Sequence, residues 1–260
     1  MPPRPLKFTT PTLVNLIRRR GGEPHNALSD TPTWYDPDAQ RTLDQQVNAV
    51  LTQHGLMGPR GMDRDLLVLL EAISRPQLEY YGYFEGRFEN APANFTVLAG
   101  SGNGGAFVLV RMRHEDTVIV APERPDELLQ GFLNQIPPAR PGAGGPLVVG
   151  KTEFTTGRQA GGDDNFSIMR GGHPTPPSPA KEMKRIMGAE RLGGGSLYVA
   201  SRNRAGVRRR CERPLNFIDT VEGRWLMEER PGRGEPLVVF TPATPQVLGE
   251  RLRNAQSALV

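Results

Sequence analysis

Residues 195–256 read GSLYVASRNRAGVRRRCERPLNFIDTVEGRWLMEERPGRGEPLVVFTPATPQVLGERLRNAQ, and this stretch decides the fold. It holds four short β-type runs, Leu197–Val199, Leu215–Ile218, Trp225–Met227 and Leu237–Phe240. Turn-forming residues separate them: Arg204-Ala205-Gly206, Glu222-Gly223 and Pro231-Gly232-Arg233-Gly234. Short strands at regular turn spacing predict an antiparallel meander. A helix closes it, because Val247, Leu248, Leu252 and Ala255 recur on one helical face. Thr244 is placed to cap that helix, with Pro245 just inside it.

The same block occurs earlier in the chain. A shift of 120 positions lays Val118–Pro122 on Val238–Pro242, Pro125 on Pro245, Leu128 on Leu248 and Phe132 on Leu252. It also lays Phe95 on Leu215, Val97 on Phe217, Leu98 on Ile218, Gly86 on Gly206, and Leu66-Leu67 on Ile186-Met187. The expected organisation is a duplicated α+β unit, each half too small to bury its sheet face alone. The N-terminal half spans residues 1–136, a Pro/Gly linker, PPARPGAGGP, 137–146, and the C-terminal half 147–260, the halves being expected to pack into one compact domain.

Before the first meander, residues 6–9 read as an edge strand and Pro11–Arg20 as a helix ended by Gly21-Gly22. Residues 23–38 read as an ordered loop. Asp38 is placed to cap a second helix carrying Leu43, Val47, Val50 and Leu51, and a third starts near Asp63. The meander itself is LEYYGYFEG, NFTVLAG, AFVLVRM and TVIVAP. In the second half Leu147-Val148-Val149 restarts a strand, residues 155–179 hold too many breakers for one long helix, and a helix from Ser178-Pro179 is expected to end at Gly193-Gly194-Gly195.

Thirty-two basic against 28 acidic side chains give a net charge of +4. That excess permits nucleic acid or an acidic partner without requiring either. One cysteine, Cys211, excludes an intrachain disulfide and fits a reducing compartment. No apolar run reaches signal-peptide or transmembrane length, so the expectation is a cytoplasmic protein without membrane insertion.

Several fragments resemble reactive motifs. Gly161-Gly162-Asp163-Asp164 pairs carboxylates as metal-binding turns do, but lacks hydrophobic strands on its flanks to aim them. Ser101–Gly105 lacks the following helix that a phosphate cradle needs, and reads as a hairpin turn. Cys211 and the histidines 25, 54, 114 and 173 are scattered, with Cys211 on a strand and His54 at a helix end. Arg18–Arg20 and Arg208–Arg210 favour nucleic acid most, yet the second run lies on a strand whose side chains alternate between faces. Charged edge positions also guard a sheet against aggregation.

Extended patterning carries a family resemblance. LYVASRNRAGVRRRCERPLNFIDTVEGRWLMEERP, with Phe217, Asp219, Thr220, Gly223, Arg224 and Trp225 in a Phe-Asp-Thr-x-x-Gly-Arg-aromatic hairpin, resembles the EspG family of actinobacterial proteins associated with ESX (type VII) secretion. The stretch around residues 55–76 fits too. The resemblance implies a pseudo-twofold α+β fold with a central, mainly antiparallel sheet beside helical bundles. It implies a cytosolic chaperone with no catalytic site, cofactor or metal, binding the tip of a helical exported partner such as a PE–PPE heterodimer. The family's partner surface uses a loop of the first meander, here Gly86–Ala93, and helices of the C-terminal half. Gly86, Arg87, Phe88, Glu89 and Asn90 are therefore the candidate contacts, with Phe88 as apolar anchor and Arg87 and Glu89 setting orientation. Two other classes stand beside this one: a basic nucleic-acid adaptor, and an enzyme using Asp163, Asp164 and His173. Whether the chain also forms a weak homodimer is open at this stage.

Overall fold

The computed structural model describes residues 5–28, 35–88, 91–103, 105–156 and 177–259, with backbone alone at Phe88, Ala91 and Pro92. In chain order the elements are β1 (Leu6–Thr9), α1 (Thr10–Arg19), α2 (Pro37–Gln53), β2 (Met57–Gly58), β3 (Gly61–Met62), α3 (Arg64–Ser74), β4 (Leu78–Phe88), β5 (Ala91–Gly102), β6 (Gly105–Met112), β7 (Thr117–Glu123) and α4 (Leu128–Leu133). There follow β8 (Leu147–Gly150), α5 (Lys151–Thr156), α6 (Pro179–Gly188), β9 (Arg191–Arg202), β10 (Arg208–Arg210), β11 (Leu215–Thr220), β12 (Gly223–Arg230), β13 (Leu237–Pro242) and α7 (Pro245–Ser257). The fold is α+β, built on a large and mainly antiparallel sheet. Two compact units divide the chain: Met1–Pro137 with Ser196–Pro214 and Gly249–Val260, and Pro138–Gly195 with Leu215–Leu248.

In the first unit the strands run in the order β1-β7-β6-β5-β4, each neighbour antiparallel. Their apolar face meets α1 and α3. Leu13, Leu16 and Ile17 of α1 and Leu66, Leu69, Leu70 and Ile73 of α3 close on Leu98, Phe107, Leu109, Val118 and Val120. Burying the three α1 side chains contributes roughly 5–9 kcal/mol before chain entropy is counted. Caps set where these helices start. Thr9 accepts from the Thr12 amide, Asp36 from the amides of Asp38 and Ala39, and Asp63 from those of Asp65 and Leu66. The second helix is thus capped by Asp36 and not by Asp38, which lies inside the first turn.

The second unit has the order β11-β12-β13-β8 around a core of Val149, Met183, Ile186, Ile218, Trp225 and Phe240. Its hairpin β11–β12 is held by Arg224, whose guanidinium donates to both carboxylate oxygens of Asp219 at 2.6 and 2.7 Å and lies 4.5 Å over the Phe217 ring. Arg224 is 2% exposed, so this pairing is what makes its burial tolerable. Residues 138–146, the Pro/Gly run of the sequence, lie in this unit. Gly142 donates to the Arg224 carbonyl and the Arg224 amide donates to that of Arg140. Gly142 needs its missing side chain, because a Cβ there would sit 2.1 Å from the Trp225 indole. The resemblance motif Phe217, Asp219, Thr220, Gly223, Arg224, Trp225 therefore builds one buried hairpin and seats the strap across it.

One expectation fails here. Gly193, Gly194 and Gly195 do not end α6, which stops at Gly188; they lie inside β9. At Gly194 a Cβ would come within 2.7 Å of the Phe217 carbonyl oxygen, so this glycine serves close strand approach and no helix end.

The element order β–α–…–α–β–β–β–β–α occurs twice, with β10 as an extra strand in the second occurrence, and the pairing registers can be compared. Thr117–Val120 face Thr9–Leu6, and Leu237–Phe240, 120 positions on, face Gly150–Leu147 in the same register. The preceding hairpins fall two residues earlier: Gly102↔Gly105 corresponds to Thr220↔Gly223, at 118. Gly105 and Gly223 share a positive φ, of 144° and 125°. The slip arises in the next turn, residues 113–116 in one meander and 231–236 in the other. A shift of two keeps every side chain on its face. That is why the 120 offset, though two off for Phe95 and Val97, still matched apolar to apolar.

Candidate partner-binding surface

Hairpin β4–β5 is the longest pair in the first unit, with register running from Leu78↔Ser101 to Phe88↔Ala91. Its base is fixed by the core. Tyr80, Tyr81 and Phe84 are buried, and the rings of Phe84 and Phe95 stack at 4.9 Å. Support from β6 ends sooner: Met112 pairs with Phe95, and the Arg113 amide donates to the Asn94 carbonyl. Glu85, Gly86, Arg87 and Phe88, with Ala91, Pro92, Ala93 and Asn94 opposite, extend beyond the last β6 residue, so this arm of the hairpin has no β6 partner on its β5 side, while β4 has β9 as its other neighbour in the sheet. Glu85 and Arg87 are exposed and Gly86 half-buried. Pro92 has no amide hydrogen and suits a strand with an open edge.

The sequence placed Gly86–Ala93 in a loop. The structure corrects this: Gly86, Arg87 and Phe88 are the end of β4 and Ala91–Ala93 the start of β5. Pairing along the arm satisfies backbone groups that a loop would leave to water. Glu89 and Asn90 lie outside the described residues, as do Asp163, Asp164 and His173.

The second unit offers its own apolar surface. Met187 at the end of α6, Leu192 at the start of β9 and Val221 in the β11–β12 turn are 50%, 44% and 42% exposed. The β11–β12 turn is tied down around Val221: its amide donates to the Glu190 carbonyl, and the Arg140 guanidinium donates to the Val221 carbonyl at 2.6 Å. Arg185 donates to Glu182 and Glu222, and those carboxylates raise its pKa further above the ordinary arginine value.

The titratable residues fall into structural roles. His25 Nδ1 accepts the Ala27 amide at 3.0 Å, while Nε2 faces Glu79 Oε2 at 3.3 Å and the Arg208 guanidinium at 3.0 Å. Arg208 reaches both Glu79 oxygens, at 2.8–3.1 Å. Burial raises the Glu79 pKa, but hydrogen bonds from His25 and Arg208 outweigh it and hold the carboxyl below its ordinary value. Sequence reading missed Glu79; its signal is a carboxylate in a strand whose neighbours Tyr80 and Tyr81 are both buried. Cys211 Sγ accepts the Val199 amide at 3.4 Å. His54 is the α2 C-cap and His114 is exposed in the β6–β7 turn.

A cavity of about 290 Å³ between α3 and β6–β7 is lined by Val68, Leu69, Ala72 and Pro122 with Asp65 and Glu123. It holds two carboxylates and no nucleophile or base beside them. Among the described residues no three His, Cys, Asp or Glu side chains are placed to hold a metal ion, and no helix is long and apolar enough to cross a membrane.

Comparison with known proteins places this architecture. The chain is similar to the Mycobacterium tuberculosis type VII secretion system chaperone EspG5, solved in complex with a PE25–PPE41 dimer. The TM-score is 0.63 over 99% of this chain and 97% of that one, at 15% sequence identity. At that identity the likeness speaks to fold alone. No curated protein sequence matches. A model of the EspG family matches residues 16–254, nearly the whole length, and the chain belongs to that family.

Proposed function

We propose that this protein is a cytoplasmic chaperone of type VII secretion, without catalytic activity, that binds a helical exported heterodimer of the PE–PPE kind and covers its apolar tip. The observation that carries the reading is the β4–β5 arm. It holds its tip clear of β6, flanked by the exposed charges of Glu85 and Arg87, on a family scaffold whose structural neighbour was solved holding such a dimer. In this reading Phe88 is the apolar anchor, Arg87 and Glu89 fix orientation, and Gly86 and Asn90 are further contacts. The exposed apolar side chains of Met187, Leu192 and Val221 supply a second contact of the type that marks association sites.

The physical task is mass action. A partner that binds the folded cargo and covers its apolar surface lowers the free concentration of the aggregating form. An anchor of one aromatic in a desolvated pocket, ringed by charges, is the usual economy of such contacts. Co-expression with the helical heterodimers encoded by the same source tests the proposal. A complex of fixed stoichiometry on size exclusion is expected; failure of every such dimer to co-elute overturns it.

A further inference from the structure

A further surface lies on the first unit, at β10. β10 is an arginine strand, Arg208-Arg209-Arg210, and among the described residues it pairs with β9 alone. The register is Arg208↔Arg202, Arg209↔Ser201 and Arg210↔Ala200, continued by Asn203 N–H to the Val207 carbonyl and Cys211 N–H to the Val199 carbonyl. In an antiparallel ladder the residues that exchange hydrogen bonds alternate with those that do not. Residues 207, 209 and 211 are the inward-bonded ones. The N–H and C=O groups of Arg208 and Arg210 consequently point away from β9, along an edge that no described strand covers.

This edge is held rigid. Asn203 closes the turn, its Oδ1 accepting the Val207 amide at 2.9 Å and its carbonyl accepting that of Gly206 at 2.9 Å. Arg202 adds a bond to the Gly206 carbonyl. On one face Arg208 lies 5.6 Å over Tyr81 and Arg210 lies 5.2 Å over Tyr198, two rings stacked at 4.9 Å. On the other face stand Arg209, exposed, and Val207, 55% exposed. Arg208 is neutralised by Glu79, whereas neither Arg209 nor Arg210 has an acidic partner among the described residues.

We propose that the outer edge of β10 accepts an acidic extended peptide as an added strand. The backbone groups of Arg208 and Arg210 supply the ladder, and Arg209 and Arg210 supply the charge complement. Val207 gives an apolar contact for an alternate side chain, the division of labour typical of strand addition. A second copy of this chain is a poor occupant, because edge-to-edge pairing would set arginine against arginine. An edge charged only to prevent aggregation needs no fixed geometry; here two arginines are seated on rings and the turn is tied at four points.

The test uses the full chain and synthetic peptides, with no cargo present, so its outcome is independent of the chaperone reading. A fluorescent, end-blocked eight-residue peptide of alternating Glu and Val is titrated by anisotropy at two salt concentrations. Its Lys-for-Glu counterpart and a version N-methylated at alternate residues, which cannot form one side of the ladder, run beside it. Binding of the Glu peptide is expected to weaken with salt, to fall at least tenfold on N-methylation, and to fall at least tenfold in an Arg209→Glu/Arg210→Glu variant. Arg209→Glu alone, at an exposed position, serves if the double variant fails to fold. No binding of the Glu peptide, equal binding of the N-methylated one, unchanged binding in the variant, or tighter binding of a single-stranded oligonucleotide would each overturn the proposal.

Discussion

The two meanders make the same first move differently. In one, β4 ends at Phe88 and β5 begins at Ala91, at the end of a long hairpin; in the other, β9 passes to β11 through residues 203–214, which hold the arginine strand β10. The remaining connections match in kind, down to the positive-φ glycine that follows each second hairpin, Gly105 and Gly223. Core strands tolerate little change, because a slip of one residue would turn apolar side chains outward. Connections bear no such constraint, and both surfaces inferred above sit at this one repeated position. The two also differ in how they are secured. The arm loses its β6 neighbour beyond Asn94, whereas β10 is bolted to the core through Glu79.

That difference is open to attack by substitution. The largest effect expected is from Glu79→Gln. It leaves Arg208 without its carboxylate, and breaking a buried pair costs roughly 3–5 kcal/mol. Chemical denaturation measures it, and a loss under 1 kcal/mol would mean that the arginine strand is not anchored this way. Next comes Phe88→Ala, expected to cost at least about 2 kcal/mol of cargo affinity, roughly thirtyfold, while thermal stability stays unchanged. Isothermal titration with the cognate dimer, alongside a melting curve, separates the two.

Acid sharpens the contrast further. Glu79 has a folded pKa below its unfolded one, so its stabilisation is complete above the ordinary carboxylate range and is lost as pH falls through the lower folded value. The wild-type urea midpoint should therefore fall in that acid window more steeply than that of Glu79→Gln. Parallel curves would assign the acid sensitivity elsewhere. Smallest of all is Arg209→Glu, whose exposed side chain should leave stability within about 0.5 kcal/mol of wild type. A larger change would show that the edge of β10 is part of the packing.

Much of this was legible because local chemistry dictates it. Val118–Pro122 and Val238–Pro242 announce strands followed by a proline-started helix, and Asp63, Ser178 and Thr244 cap the helices they precede. The family pattern around Phe217–Trp225 was visible as a string, yet its meaning as Arg224 held between Asp219 and the Phe217 ring is tertiary. Glu79 and Arg208 stand 129 positions apart, beyond any window of periodicity. Gly193–Gly195 and Ala91-Pro92-Ala93 misled for one reason. Glycine and proline punctuate local structure in general, but here they permit close strand approach and an open strand edge.

Replacing residues 87–92 by Asn-Gly, which joins Gly86 to Ala93 through a tight turn, removes the tip and keeps the base of the hairpin. Size-exclusion and titration with the cognate helical dimer should then show a complex for wild type and none for the shortened chain, with melting temperatures within a few degrees. A shortened chain that binds the dimer as tightly as the intact one would contradict the assignment of this surface.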